Sequence, residues 1–543
     1  MEAGPGADAE VEWQLDAPDL RPVLRWIEAT SAAGATEGVT IASAHTVNHV
    51  DTYLDTADRR LDRAGYSVRL RRSRRSPAEA TLKSLNGAGP TGPRIRRELA
   101  EHVELDDPSA VASAPGAVGE RVRALVGSRE LVPLFDVQTR RRVFPLVVAG
   151  MPSGELLLDD TAIREPGSGR ILGRLHRVEV EVPPSAVASV EGLVDKLQTT
   201  FGLQAALLSK YETALAATGR SRTEPDDFGR TTVEPGDTIG HVGLSVLRRQ
   251  LAALLAKEAG ARLGDDVEEL HDMRVATRRL RAAIALFGDV LPAEAERLRP
   301  DLAWVGQTIG AVRDLDVQLQ QLDRWTNVLT PSDQEALRRL RSLLEGQRAR
   351  ARGEMLESLD SPRYARLVRR LGTMLRSRSG ARTAPARAVA PDLVEARHRA
   401  LRKAKRQIGP DSDAAAFHRL RIATKRYRYA LEFLSDVYPG ETKRLIRRSV
   451  TLQDVLGAHQ DAHVAITRLR DLAGNRGAEL GPEAVFAMGE IAGRYSTSMD
   501  EVRINVPRIY ARLGGKAWKR FHRRIEAQKP GPPLANEIAG LTS

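Results

Sequence analysis

Apolar and polar residues alternate with a period of two along short segments in the first third of the chain. Examples are SVRLRR, EATLKSL, RRVFPLVV, GELLLDD and HRVEVEV, which are separated by Gly, Pro, Ser and Asp. This alternation predicts β-strands. From about residue 240, stretches rich in Leu, Ala and Arg follow a period near 3.6, which predicts helices. We therefore predict a strand domain at 8–214, a polar linker at 215–236 and a helical domain at 237–525.

Two patterns of the helical part recur at one spacing. HDMRVATRRLRAAIALF from His271 recurs as HRLRIATKRYRYALEFL from His418, and GAVRDLDV from Gly310 recurs as GAHQDAHV from Gly457. Both pairs lie 147 residues apart, which predicts an internal duplication. The copies are predicted at about 237–376 and 393–525, with a linker at 377–392 and a loose tail at 526–543.

The composition narrows the class of protein. A chain of 543 residues is long enough for two to four domains. Without cysteine it forms no disulfide or thiolate metal site, so any metal would be held by oxygen or imidazole ligands. The first residues lack a signal-peptide pattern, and no run of apolar residues is long enough for a membrane span. We expect a cytoplasmic protein that does not enter membranes.

The positive charge is concentrated in the helical part. The whole chain carries a net charge of +12, whereas residues 1–220 hold 27 Lys and Arg against 30 Asp and Glu. The remainder therefore carries +15. A polyanion is expected to bind this part of the chain.

The polar faces of the predicted strands carry Arg and Glu in pairs. In period-two phase these are Glu10 and Glu12; Arg69 and Arg71; Arg96 and Glu98; Arg140 and Arg142; Glu179 and Glu181. For one strand alone, a solvent-exposed face is the simpler interpretation. Because the pattern recurs, we favour a closed sheet whose charged faces point inward. Such a lumen would bind phosphate through Arg and divalent cations through carboxylates.

The ordered segments EVEWQL, YLDTADRRLDRAGYSVRLRR, TLKSL, RRE at 96–98, TRRR, GELLLDD, RVEVEV and SKYETAL resemble the CYTH domain, the family of triphosphate tunnel metalloenzymes. The resemblance implies an eight-stranded antiparallel β-tunnel that binds triphosphate compounds and Mg²⁺ or Mn²⁺. It further implies hydrolysis of inorganic triphosphate or short polyphosphate. Thiamine triphosphatase or adenylate cyclase activity remains an alternative, because fold alone does not fix the substrate.

The resemblance also assigns roles to residues. The predicted metal ligands are Glu10, Glu12, Asp159, Glu179 and Glu181. The predicted phosphate-binding residues are Arg69, Arg71, Lys83, Arg96, Arg140 and Arg142, with the register near Arg140 open by one residue. Glu10, Glu12, Lys83, Arg69 and Arg71 are the predicted catalytic residues.

Two positions depart from the CYTH pattern. Gln14 stands where the family has a lysine, and Ala100 stands where an acid is expected, with Glu101 out of phase. Both changes remove a charge that the family places in its tunnel. They leave open a non-catalytic protein that binds or localises to polyphosphate.

The recurring helical motif places its basic residues on one face. In the first copy His271, Arg274, Arg278 and Arg281 lie opposite an apolar stripe, and the second copy repeats this arrangement. A solvated Arg face is the simpler interpretation of a single helix. Because the stripe occurs twice with almost no neighbouring acid, we favour binding of a linear phosphate chain. With only 4% aromatic residues, the chain offers little for base stacking, which argues against nucleic acid.

The motifs HxxRxxxRRLR and GxxRDxDV resemble the CHAD domain, a helical module that accompanies CYTH domains. The resemblance implies two four-helix bundles related by pseudo-twofold symmetry, with His, Arg and Lys lining a basic surface that binds inorganic polyphosphate. The matching residues are His271, Arg274, Arg278, Arg279, Arg281, His418, Arg421, Lys425, Arg426 and Arg428. In the second copy Gln460 replaces Arg313 and His463 replaces Asp316.

Together these patterns predict an α+β multidomain protein: an antiparallel β-tunnel followed by an all-α duplicated domain. Its expected partners are Mg²⁺ or Mn²⁺, inorganic triphosphate and polyphosphate, and its expected location is the cytoplasm in association with polyphosphate granules. The sequence leaves its oligomeric state open.

Overall fold

A computed structural model describes most of the chain. The described residues are 10–73, 77–85, 94–96, 98–104, 107–326, 331–377, 381–409 and 412–529. The chain divides into two compact units, Met1–Pro225 and Asp226–Ser543. We call them the strand unit and the helical unit.

The strand unit contains one antiparallel sheet. Its strands are β1 Glu10–Asp16, β2 Val39–Ile41, β3 His45–Thr56, β4 Tyr66–Ser73, β5 Ala78–Ser84, β6 Arg94–Arg96, β7 Glu98–Val103, β8 Leu131–Val148, β9 Met151–Arg164, β10 Ile171–Val182 and β11 Gln204–Ala205. Its helices are α1 Arg21–Ala33, α2 Arg60–Arg63, α3 Pro108–Ser113, α4 Ala117–Val126, α5 Val187–Phe201 and α6 Lys210–Ala217.

The strand order closes the sheet on itself. The order is β11-β1-β10-β9-β8-β3-β4-β5-β7, and β6 pairs with β1. Strand β7 pairs with β5, strand β6 pairs with β1, and a single residue separates β6 from β7. The segment from β6 to β7 therefore connects the two sides of the sheet. Eight strands in the described ranges have six or more residues, while β2, β6 and β11 are shorter. The predicted antiparallel sheet domain is confirmed.

The apolar faces of β1 and β10 pack outward against helices. Val11, Trp13 and Leu15 of β1 form an apolar cluster with residues of β10, α1 and α5. Fully burying an aliphatic side chain of this size contributes about 1.5–3 kcal/mol, so this cluster fixes which face points inward. On the inward face Glu179 is 1% exposed and Arg177 is 0% exposed. The alternative of a solvent-exposed charged face is therefore wrong for β10.

Helix α6 closes off part of the interior. Its residues Tyr211 and Leu215 pack with the interior-facing Tyr53 and Phe135 in a separate apolar cluster. A capping box at Ser209 begins the helix by satisfying its first amide groups. Consequently Lys210, the first residue of α6, lies next to the charged interior.

The helical unit shows the predicted duplication. Its helices are α7 Ile239–Leu263, α8 Val267–Phe287, α9 Ala293–Arg297, α10 Arg299–Thr326, α11 Pro331–Asp360, α12 Pro362–Arg376, α13 Ala386–Arg406, α14 Ala414–Phe433, α15 Lys443–Leu480, α16 Pro482–Ala511 and α17 Lys516–Glu526. Helices α7 and α13 begin 147 residues apart, as do α8 and α14. One apolar cluster includes residues of both copies.

The structure also refines the predicted ends of the second copy. The predicted linker 377–392 extends into α13, which begins at Ala386. The predicted loose tail lies outside the described residues from 530 onward. No helix within the described ranges is both long enough and apolar enough to cross a membrane.

Candidate functional site

Three carboxylates meet inside the closed sheet. The pairing of β1 with β10 sets Glu12 opposite Glu181 and Gln14 opposite Glu179. One oxygen from each of Glu12, Glu179 and Glu181 lies within 4.8 Å of the others. Glu179 Oε1 is buried and accepts no hydrogen bond from the described residues, although Lys210 Nζ lies 2.9 Å away. Such oxygen donors fit Mg²⁺ or Mn²⁺, both of which prefer carboxylate ligands.

The mutual repulsion of these carboxylates also favours a bound cation. Burial raises the pKa of Glu181 to about 8, although the Arg141 guanidinium opposes the rise. The carboxylates of Glu179 and Glu12 add to it, because like charges at close range disfavour ionisation. A divalent cation among these oxygens would relieve that repulsion.

Two side-chain cations contact one side of the carboxylate group. Arg141 of β8 lies 2.8 Å from Asp159 and 2.8 Å from Glu179. Lys210 of α6 contacts the same two carboxylates. Burial favours a higher pKa for Asp159, but the charges of Lys210 and Arg141 outweigh it and lower the pKa. Asp159 is thus ion-paired and lies outside the group of three converging carboxylates.

The predicted phosphate-binding residues of β4 and β5 are also ion-paired. Arg71 binds Asp51 through two hydrogen bonds of 2.8 and 2.9 Å. Arg69 lies 2.9 Å from Glu98, and Lys83 lies 2.8 Å from the same carboxylate. Their exposed side-chain fractions are only 17–26%. Three cations therefore line the interior in a form that can exchange a carboxylate partner for a phosphate oxygen.

Gln14 bridges the carboxylates and a buried arginine. Its Nε2 donates to Glu12 Oε1 at 2.6 Å, and its Oε1 accepts from Arg177 Nη1 at 3.3 Å. Arg177 in turn pairs with Asp16 at 2.8 Å. The residue that stands in place of the family lysine therefore links Glu12 to a cation that is already present.

Glu101 caps helix α4, which explains why it does not share the period-two phase of the interior-facing Glu98. Its carboxylate accepts hydrogen bonds from the backbone amides of Val118 at 3.0 Å and Gly119 at 3.1 Å, at the first turn of α4. A carboxylate at a helix N-terminus satisfies free amides and interacts favourably with the helix dipole. Ala100, the preceding residue, contributes no charge to the interior.

The predicted register of β8 requires a correction. Arg141 faces Asp159 across the pair β8–β9 and lies in the interior. Arg140 and Arg142 are on the opposite face of the strand, and Arg140 is exposed. Alternation along a strand allows only one of the two faces to point inward, so Arg141 replaces Arg140 and Arg142 as the interior residue.

Two further predicted residues lie at the seam that closes the sheet. Glu10 of β1 pairs with Arg96 of β6 through the backbone. The side chains of both lie outside the described residues, and their predicted roles stay predictions.

In the helical unit, the basic stripes of the two copies come together. Burial and four neighbouring guanidinium groups lower the pKa of Lys425 to about 7. These groups belong to Arg421, Arg278, Arg274 and Arg428. Helix α8 of the first copy and α14 of the second thus form one positively charged surface, which we call the stripe surface.

An unpaired donor marks the stripe surface as a place for an anion. The Nε of Arg421 is buried and has no hydrogen-bond partner among the described residues. Arg274 lies 3.5 Å from the exposed Asp314. Burial raises the pKa of Asp461, because its effect outweighs the opposing charges of Arg421 and Lys425. The acids at this surface are too few to neutralise it.

The remaining predicted basic residues are placed differently. Arg279 pairs with Glu432 at 2.6 Å and lies 5.4 Å from the ring of Tyr429, so it links the two copies. Arg281 and Arg426 are exposed. A structural contribution to the contact between copies is therefore the better supported role for Arg279.

The two histidines of the motif have different neighbours. His418 Nδ1 lies 2.7 Å from Gln460 Oε1. Burial and the charge of Arg313 lower the pKa of His271. Arg313 itself has two buried nitrogen atoms without hydrogen-bond partners among the described residues. The replacement of Arg313 by Gln460 thus makes the two halves chemically unequal, as the sequence predicted.

Besides Arg141, sequence reasoning missed three titratable side chains that line the interior of the closed sheet in the described part of the chain: Lys210, Asp51 and His49. Lys210 lies in a helix, so the period-two pattern of strands gives no signal for it. Asp51 and His49 lie in period-two phase with Tyr53 on β3 and could have been found from that phase.

Comparisons with protein families agree with this division. The CYTH domain family matches residues 27–211, and the CHAD domain family matches residues 245–470. Among curated proteins, no match was found.

Several solved structures are similar to a part of this chain. The CHAD domain from the plant Ricinus communis is 30% identical over 53% of this chain and 96% of its own, with a TM-score of 0.45. PptA from Streptomyces chartreusis is 23% identical over 51% of this chain and 100% of its own, with a TM-score of 0.43. HpAC1 from Hippeastrum, described as having a dominant triphosphatase activity, is 22% identical over 39% of this chain and 96% of its own, with a TM-score of 0.31.

Proposed function

The chain belongs to the proteins in which a CYTH domain precedes a CHAD domain, and we propose that it hydrolyses inorganic triphosphate or short polyphosphate and binds polyphosphate. A triphosphate-related function follows from the CYTH domain. Hydrolysis is assigned to the strand unit and polyphosphate binding to the helical unit. The observation that carries the proposal is the convergence of three carboxylates beside ion-paired Arg and Lys side chains inside one closed sheet.

The interior suits the cleavage of a phosphoanhydride bond. Attack of water on a terminal phosphorus would break its bond to the bridging oxygen and release orthophosphate. Bound Mg²⁺ or Mn²⁺ would neutralise phosphate charge and lower the pKa of a bound water. Glu12, Glu179 and Glu181 would hold the cation. The Arg and Lys side chains of β4 and β5 would bind the non-bridging oxygens and stabilise charge on the leaving phosphate.

A second candidate is a tunnel that captures phosphate chains without cleaving them. The observation behind it is Gln14, which brings an amide where the family has a cation. Against this alternative, the three converging carboxylates and the cations of β4 and β5 are all retained in the interior. We therefore favour hydrolysis.

The protein of 543 residues is expected to release orthophosphate from inorganic triphosphate only when Mn²⁺ or Mg²⁺ is present. The panel should also contain thiamine triphosphate, ATP and long-chain polyphosphate, with phosphate and cyclic nucleotide as measured products. Retained polyphosphate binding without turnover of any substrate would support the binding protein instead. Formation of cyclic AMP would identify a cyclase.

Polyphosphate binding by the helical unit is expected to weaken as pH rises through about 7. Lys425 is half-protonated near that pH, and a bound phosphate chain would raise its pKa, so binding takes up a proton. The groups that face Lys425 are Arg274 and Arg278 of α8, Arg421 and Arg428 of α14, and Asp461 of α15. Above the pKa of the free protein, affinity should fall by up to about tenfold per pH unit.

The matched control for this pH dependence is Lys425→Arg, measured by titration calorimetry between about pH 6 and pH 9. Arginine keeps its charge throughout this range, so the variant should show a flatter profile. An unchanged profile would assign the proton to another group, such as His271.

A further inference from the structure

A second group of exposed basic residues lies where α13 and α16 end and α15 and α17 begin. We call it the C-terminal basic patch. It consists of Arg402, Arg406, Arg444, Arg448, Arg512, Lys519, Arg520 and Arg523. All except Arg448 are exposed.

Contacts and electrostatics bring the ends of these helices together. Arg448 Nη1 donates to the carbonyl oxygen of Arg512. Burial raises the pKa of Tyr510, and the positive charges of Arg402 and Arg406 oppose that rise. Arg402 and Arg406 lie near the end of α13, Tyr510 and Arg512 near the end of α16, and Arg448 near the start of α15. These three helix ends therefore adjoin. Helix α17 follows a few residues later and packs on α13.

The patch has almost nothing to neutralise it. In the part of the chain that the structure describes, none of its eight residues forms an ion pair with a carboxylate. The one acid of α17, Glu526, pairs with Lys529 and His522 instead. Acids three or four residues from a cation on a helix would stabilise it, whereas like charges at that spacing destabilise the helix. Repulsion among unneutralised cations is costly, and a bound polyanion removes that cost.

The patch is separate from the stripe surface. On α14, the buried ring of Tyr427 lies 5.6 Å from His398 of α13 and 6.2 Å from Trp518 of α17. Lys425 and Arg428 lie on the side of α14 that faces α8 and α15. The stripe surface and the pair α13–α17 therefore lie on different sides of α14.

The chemistry of the patch favours a phosphate chain over a membrane or nucleic acid. The apolar residues of α17, Phe521 and Ile525, are 4% and 0% exposed, so the helix has no free apolar face to insert into a bilayer. None of the eight patch residues is aromatic, and Trp518 stacks on His398 at 3.7 Å. Bases would therefore find no free ring for stacking.

We propose that the C-terminal basic patch is a second binding surface for long-chain inorganic polyphosphate, so that a single chain contacts both this patch and the stripe surface. The proposal rests on the proposed polyphosphate binding of the helical unit. Two surfaces on one ligand raise affinity with chain length, because the second contact is intramolecular. Half of the patch, from Arg512 onward, lies beyond the residues 245–470 that match the CHAD family.

The test is a variant of the 543-residue protein with Arg402→Ala, Arg406→Ala, Lys519→Ala and Arg523→Ala. Binding of long-chain and short-chain polyphosphate is measured over a series of salt concentrations. Affinity for long chains should fall roughly tenfold or more, and the slope of log affinity against log salt should decrease by about 3, if each lost contact contributes about 0.7. Affinity for short chains should stay unchanged.

The matched control removes four exposed arginines elsewhere in the helical unit: Arg366, Arg369, Arg470 and Arg494. If the patch variant binds long chains as the control does, the proposal is overturned while binding at the stripe surface stands. If the patch variant loses affinity for single-stranded RNA but not for polyphosphate, the patch is a nucleic-acid surface. Absence of polyphosphate binding by the unmodified protein would overturn the proposed function together with this proposal.

Discussion

Replacing Glu12 and Glu179 by glutamine in one variant is expected to abolish metal-dependent release of phosphate from triphosphate. These residues supply two of the three converging carboxylates. Glutamine keeps the shape of the side chain but lacks the negative charge with which a carboxylate binds Mg²⁺ or Mn²⁺. Mutation of a residue that only hydrogen-bonds to a metal ligand commonly lowers metal affinity or activity by about 10–100-fold. The loss of two ligands should therefore lower it further.

The metal affinity is best measured directly with Mn²⁺, by electron paramagnetic resonance or calorimetry, alongside phosphate release. A variant with Glu120→Gln and Glu191→Gln removes two exposed carboxylates of the same unit and should leave both quantities unchanged. Unchanged Mn²⁺ affinity in the Glu12 and Glu179 variant would show that the metal lies elsewhere. If the variant loses Mn²⁺ affinity but the unmodified protein shows no turnover, the result would favour an interior that binds phosphate chains without cleaving them.

Period-two alternation was sufficient to predict the interior of the sheet wherever both faces carry a clear signal. Val178 and Val180 pack outward, and Glu179 and Glu181 point inward, because the apolar face must be covered by helices. The same logic fails at Arg140–Arg142, where three successive arginines give both faces the same chemistry. There the register is set by the pairing of Arg141 with Asp159, which is a long-range contact that no local pattern contains.

Other parts of the site depend on tertiary structure entirely. Lys210 reaches the carboxylates because α6 packs its aromatic and aliphatic residues into the interior. Glu101 looked like a displaced tunnel acid but caps α4, since its strand passes the start of that helix. Burial and the charges of arginines from both copies lower the pKa of Lys425. The sequence shows that the two copies are similar, but it does not show that their arginines lie close together.

Reversal of four charges on the stripe surface is expected to reduce polyphosphate affinity by roughly 100-fold or more at low salt. The variant carries Arg274→Glu, Arg278→Glu, Arg421→Glu and Lys425→Glu. The three arginines lie close enough to Lys425 to contribute, together with burial, to its lowered pKa. Each change removes a phosphate partner and adds repulsion, so the loss should shrink as salt screens the charges. The affinity is measured by calorimetry, with circular dichroism to verify the fold.

The control for this reversal places glutamate at the exposed Arg366, Arg369, Arg470 and Arg494, which changes net charge equally. If polyphosphate binding followed net charge alone, both variants would lose the same affinity and the stripe surface would have no special role. A larger loss in the stripe variant is expected because its cations converge from two helices and include a buried donor, Arg421 Nε, that has no protein partner among the described residues. A converged, partly desolvated set of donors binds phosphate more strongly than the same number of dispersed, hydrated charges.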